Sequence, residues 1–225
     1  MKKTIRHTLL VAACLVAANA ANAQLGGLGS MLGGAKQAGN GSGDIGTDVG
    51  TFVAKSAALS ELAGGSVTAI NAAFANDEQL AAKRAKLAQI AALTDPKEKT
   101  VKSEALYQSE KAEAQNLLDS GEMEKRIGTL SSDKKKMIGQ ALLNFGIGGL
   151  RAVELTKNGQ ALIQKAGSNP MNLPKIMPVK DALPLLGKVA TDAGGFMVGV
   201  AKLAKGANIA VPAVTAESKA ADISV

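Results

Sequence analysis

The chain has 225 residues, with 26 Lys and Arg against 19 Asp and Glu, 25 Gly, four Phe, one Tyr and no Trp. Its only His and Cys are His7 and Cys14, which leaves almost no imidazole or thiol for acid–base catalysis, nucleophilic attack or metal ligation. A formal charge of +7 is too modest to argue for a polyanion such as nucleic acid.

Residues 1–23 carry the pattern of a secretory signal peptide: Lys2, Lys3 and Arg6, then an apolar run from Leu9 to Ala18, then Ala21-Asn22-Ala23 before the cleavage point. The run is shorter than the roughly 20 residues of a membrane-spanning helix. Cleavage after Ala23 frees Gln24, with Ala18-Asn19-Ala20 marking a second usable site. Val11-Ala12-Ala13-Cys14 resembles a lipobox, so the alternative is an outer-membrane lipoprotein anchored through Cys14. After cleavage at Ala23 the loss of Lys2, Lys3 and Arg6 lowers the charge from +7 to +4, and 202 residues remain without His or Cys. Such a chain is periplasmic or secreted and gains nothing from disulfides.

Residues 24–46 hold too many glycines for a stable helix and read as a flexible leader. Leu25, Leu28, Met31 and Leu32 could form an apolar foot within it. A helix is predicted over 47–63, ended or bent by Gly64-Gly65, and Ser66 caps a second one through Val67, Ile70 and Phe74. Asn76-Asp77 caps a helix whose stripe is Leu80, Leu87, Ile90 and Leu93. Asp95-Pro96-Lys97-Glu98 is the sharpest helix start in the chain, joining an N-cap, a first-turn Pro and a capping-box Glu. That helix runs to about Ser120 behind a thin seam of Val101, Ala105, Leu106, Ala112, Leu117 and Leu118. Glu110 with Glu113, and Glu122 with Glu124, read as solvated charge. Gly121 interrupts, and a short helix follows through Met123, Ile127 and Leu130.

The strongest helical pattern, over 132–166, places Ile138, Ala141, Leu142, Phe145, Gly149, Ala152 and Val153 on one face, and the rest of the chain is expected to organise around it. Pro170, Pro174 and Pro178 impose an extended connection lying across an apolar surface. A last helix is predicted over 180–205, and residues 208–225 read as a mobile Ala-rich tail, with a short extended piece from Ile209 to Val214. The two apolar helices share a glycine enrichment that points to close crossing, with Phe145, Gly148, Gly149, Gly195 and Gly199 as the contact residues. Lys134, Lys135 and Lys136 sit at a helix start, where the dipole disfavours cations; they read as a solvated face or as a contact for an anionic surface.

The expected fold is therefore all-α, an irregular bundle of five to seven helices over 47–207 with a Gly-rich flexible N-terminal leader. The expected function is that of a non-enzymatic binding protein with no cofactor or metal, a protein-interaction or assembly factor of the cell envelope. Two alternatives stay open: a periplasmic carrier of a lipid or other apolar ligand, and a membrane-active helical protein in peripheral contact with the bilayer. Cleavage is directly checkable: the intact mass of the exported chain should match a protein beginning at Gln24, and a mass carrying acyl groups on Cys14 would replace the soluble reading with the lipoprotein one.

Overall fold

The computed structural model describes residues 44–215 and 217–225, and for Pro96 and Lys97 the backbone alone. The expected signal peptide, Cys14 and the leader up to residue 43 lie outside the described residues. The protein is all-α. Its helices are α1 (Ile45–Phe74), α2 (Asp77–Ala91), α3 (Pro96–Asp119), α4 (Glu122–Ile127), α5 (Ser132–Gly167), α6 (Met177–Gly194) and α7 (Phe196–Gly206), with 3₁₀ turns at Pro170–Asn172 and Pro174–Ile176 between α5 and α6. No strand occurs among the described residues.

The hub is α1 rather than α5. It packs against α5, α3 and α6, and every residue from 62 to 74 is buried. This is one continuous helix of 30 residues, so Gly64-Gly65 does not divide it as expected. In a water-excluded core, breaking the helix would strand backbone donors and acceptors with no partner, and that outweighs the local cost of two glycines. Gly64 also permits contact: a Cβ there would lie 3.6 Å from the Ser103 carbonyl oxygen of α3. Ser66, expected as a cap, donates its hydroxyl to the Leu62 carbonyl at 2.6 Å. Ser56, Ser60 and Thr68 do the same to the carbonyls of Phe52, Ser56 and Gly64, so these buried hydroxyls are satisfied without leaving the helix.

Contacts at both ends fix the helix directions. Phe52 of α1 packs on Gly159 of α5, and Asp48 pairs with Lys165 at 2.9 Å, so α5 runs antiparallel to α1. Glu61 pairs with Lys99 at 2.8 Å and Asn71 bonds to Glu110, so α3 runs parallel to α1, with α2 returning the chain outside them. Gly159 of α5 also receives Leu183 of α6, and Gly149 receives Ala193, making α6 antiparallel to α5. The caps follow local sequence: Asn76 and Gln79 form a capping box on α2, and Gly121 takes φ +71 before α4, a conformation glycine adopts without a Cβ penalty.

Three further expectations change. The inward face of α3 is Ser103, Leu106, Tyr107, Glu110 and Ala114, while Val101, Ala105 and Ala112 are exposed; the helix is turned to seal a polar cluster, which an apolar count cannot anticipate. The helix expected over 180–205 starts at Met177 and breaks at Gly195 (φ −114, ψ −91) into α6 and α7. Residues 208–225, expected to be mobile, fold back along α5, with Ile209 and Ile223 buried.

The glycines of α5 differ in what surrounds them, and this gives a paired prediction. A Cβ at Gly149 would overlap that of Ala193, whereas one at Gly148 has nothing within 4 Å. Gly149→Ala should cost about 1–3 kcal/mol by overpacking, and Gly148→Ala should gain up to about 1 kcal/mol of helix propensity. Urea denaturation followed by circular dichroism reads both, and equal shifts for the two variants would contradict this packing.

Candidate functional site

The buried polar chemistry gathers on α3. Lys83 of α2 (5 % exposed) donates to Glu110 and Glu113, each at 2.7 Å, and Glu110 is 2 % exposed. The Asn71 amide nitrogen of α1 donates to the Glu110 carboxylate at 2.7 Å and to its main-chain carbonyl at 2.8 Å. Glu110 and Glu113 are one helical turn apart, so a single ammonium reaches both. Removing one partner of such a pair leaves a buried charge uncompensated, at a cost of about 3–5 kcal/mol. The reading of Glu110 as solvated is thus corrected. Glu110 is matched by a lysine 27 positions away, a partner invisible to local periodicity.

One turn earlier on α3, the Tyr107 hydroxyl donates to Asp192 of α6 at 2.5 Å, and Lys111 pairs with the other Asp192 oxygen at 2.7 Å. The Tyr107 ring lies 6.1 Å from that of Phe145 on α5, centroid to centroid and stacked. Burial first, then the hydrogen bond and charge of Asp192, push the phenol far above its ordinary pKa of 10.0. Both clusters are bonded across helix boundaries, with the Asn71 side-chain oxygen alone among these side chains left buried without a partner. They set the rotation of α3 against α1, α2 and α6.

The lysine triplet has an explanation that its own helix does not supply. Lys134 reaches the Ala75 carbonyl at 3.5 Å, just past the C-terminus of α1, and Lys135 reaches the Gly128 carbonyl at 2.8 Å, at the end of α4. Arg126 adds a bond to the Phe74 carbonyl and lies over the Phe74 ring at 5.6 Å. The cations sit where neighbouring helices present unpaired carbonyls and negative dipole ends. Lys136 is exposed.

Residues 208–215 and 217–225 occupy a groove on the outer face of α5. The Ala210 carbonyl oxygen lies where a Cβ on Gly139 would stand, and the Val214 side chain comes within 2.6 Å of where one on Gly146 would. The Ser218 amide donates to the Thr215 carbonyl at 3.2 Å, and from Ser218 onward the chain runs back along α5. Arg151 donates to the Ser218 carbonyl at 3.2 Å. Asn144, 1 % exposed, grips the Ala221 backbone with both ends of its amide, donating to the carbonyl at 2.8 Å and accepting from the N–H at 2.6 Å. Arg84 of α2 donates to the Val225 main-chain oxygen at 2.7 Å.

Of the five glycine-rich contact candidates, Phe145 stacks on Tyr107, Gly149 meets Ala193, and Gly199 lies against Leu118 of α3, which would be 3.1 Å from its Cβ. Gly148 is buried but meets no partner, and Gly195 forms the break between α6 and α7. Sequence reasoning missed Asn71, Lys83, Glu110, Asp192 and Asn144. The one signal available was Tyr107, the single tyrosine of the chain and the one aromatic ring in α3. The connection after α5 also departs from expectation: only Ile176 is buried, while Met171 is 80 %, Leu173 46 % and Met177 50 % exposed. It is a projecting apolar corner.

Because the folded-state pKa of Tyr107 is raised, its contribution to stability is whole below pH 10 and declines as pH climbs above that value. As Tyr107 is the chain's only tyrosine, phenolate absorbance at 295 nm should appear together with loss of helical dichroism in an alkaline titration. A smooth ionisation near pH 10 with the helices intact would contradict the buried Tyr107–Asp192 bond.

No protein-family model matches this chain, and neither curated proteins nor solved structures provide a match.

Proposed function

We propose that this is an exported, non-enzymatic binding protein that acts as a protein-interaction or assembly factor of the cell envelope. The observation that carries the reading is the 171–177 corner. Three large apolar side chains stand exposed within seven residues, on a segment braced by Pro170, Pro174 and Pro178. Clustered apolar exposure of this kind marks interaction surfaces, and a braced turn loses little conformational freedom on binding. Methionine adapts its shape to an irregular partner. Export rests on the pattern of residues 1–23, and the absence of enzymatic chemistry on a sequence without His or Cys beyond residue 14.

A second reading, peripheral contact with an anionic membrane, draws on two exposed lysines, Lys175 within the corner, 3.9 Å from Asp44, and Lys180 just after it. No helix among the described residues is long and apolar enough to cross a membrane. A lipid carrier has less support: a cleft of about 380 Å³ beside the end of the chain is lined by Arg84, Asp133, Lys134 and Lys136 as well as by Leu80 and Met137, and charge of that density suits polar ligands.

A photo-crosslinking amino acid at position 171 should give discrete protein adducts in intact cell envelopes. Those adducts should disappear in a Met177→Asp background whose melting temperature is unchanged, and a probe at exposed position 86 should give none. Equal adducts at 171 and 86 would remove the reading. Flotation with anionic but not neutral vesicles, lost in the same variant, would replace it with the membrane one.

A further inference from the structure

We propose that residues 209–225 of one copy can seat on the α5 groove of a second copy, so that the protein assembles with itself by exchanging this segment.

The groove is a recognition surface built for extended backbone. Gly139 and Gly146, two turns apart on α5, clear a channel for Ala210 and Val214, and Asn144 reads the main chain of Ala221 through both the N–H and the C=O of that residue. An extended chain rises about 3.3 Å per residue against 1.5 Å for a helix, so four residues of the segment span the seven between those glycines with little slack. Ile209 and Ile223 anchor the two ends in the core. The peptide that fits this channel is present in every copy of the chain.

The hydrogen bonds that hold the returning limb reach α5 and α2: Arg151 to Ser218, Asn144 to Ala221 and Arg84 to Val225. None of them depends on the segment belonging to the same chain. It joins the body through Asn208, whose φ of 58 is the single positive value on a non-glycine among the described residues. Asn208 closes α7 in a left-handed cap, with the Ile209 amide donating to the Ala204 carbonyl at 2.8 Å; rotation of this element-terminal residue to the extended region, with loss of that one cap bond, carries the segment away from its own α5. Exchange of an element across such a hinge recreates the same contacts between chains, opposed chiefly by the higher effective concentration of the attached segment. This inference rests on a different surface from the 171–177 corner.

The geometry offers a direct test, made with the full chain carrying Cys14→Ser. A Cβ on Gly146 would lie 3.5 Å from the Val214 Cβ, within the span a disulfide bridges. Gly146→Cys together with Val214→Cys in one chain should close an internal crosslink under mild oxidant. Chains carrying Gly146→Cys alone and Val214→Cys alone, mixed at high concentration, should form a reducible dimer in about tenfold excess over either chain by itself. The unsubstituted chain should show a concentration-dependent dimer in sedimentation, lost in Ala221→Pro, which removes the N–H that Asn144 accepts, and retained in Met171→Asp. Closure of the internal crosslink without any mixed dimer would overturn exchange. Failure of the internal crosslink would overturn the groove itself, and a strictly monomeric unsubstituted chain at every concentration would also overturn the proposal.

Discussion

Through its second half α1 has no face turned to water, and the architecture follows from the burial of that one helix. Its residues between 62 and 74 are mainly Ala, Gly, Ser, Thr and Val, with Leu62, Ile70 and Phe74 the larger members. Small side chains bury little area each, so the helix is stabilised by close neighbours on several sides rather than by a few deep anchors. The serine and threonine hydroxyls turned back onto their own carbonyls make this feasible. They let a partly polar helix occupy the centre with its hydroxyls satisfied. Gly64 and Gly159 extend the same logic, each admitting part of a neighbouring helix where a side chain would stand.

Around that centre, orientation is set by charge rather than by grease. The seam of α3 would be ambiguous on apolar content alone, since Val101 and Ala105 point out while Ser103 and Glu110 point in. The Lys83, Glu110 and Asn71 cluster and the Tyr107, Lys111 and Asp192 cluster resolve it, because each is satisfied in one rotation of α3 only. Buried ion pairs add little net stability, yet a misrotated helix would leave several of these groups unpaired at once. The lysines at the start of α5 act similarly, tying the ends of α1 and α4 to α5.

Two surfaces are left over from this core. The 171–177 corner shows apolar side chains that the fold does not use, and the α5 groove is filled by a segment held through main-chain contacts. The first is the surface on which the proposed binding role rests, and the second is the one proposed to pass between copies. They lie on different elements, so one can be altered without the other.

How much of this was readable beforehand depends on the range of the interaction. The all-α class, the cap at Asn76, the start at Pro96, the interruption at Gly121 and the long α5 were all legible, because each is decided by residues within one or two turns of one another. The sequence by itself also determined the inventory of side chains, with no His or Cys beyond residue 14, since residue types do not change on folding. Tertiary structure alone decided that Gly64-Gly65 lies inside a helix, that Glu110 is buried, that the 180–205 pattern breaks at Gly195, and that residues 208–225 return to Asn144 and Arg84. Each of those outcomes turns on a partner tens of positions away or on the cost of stranding a polar group out of water, and neither leaves a mark in local periodicity.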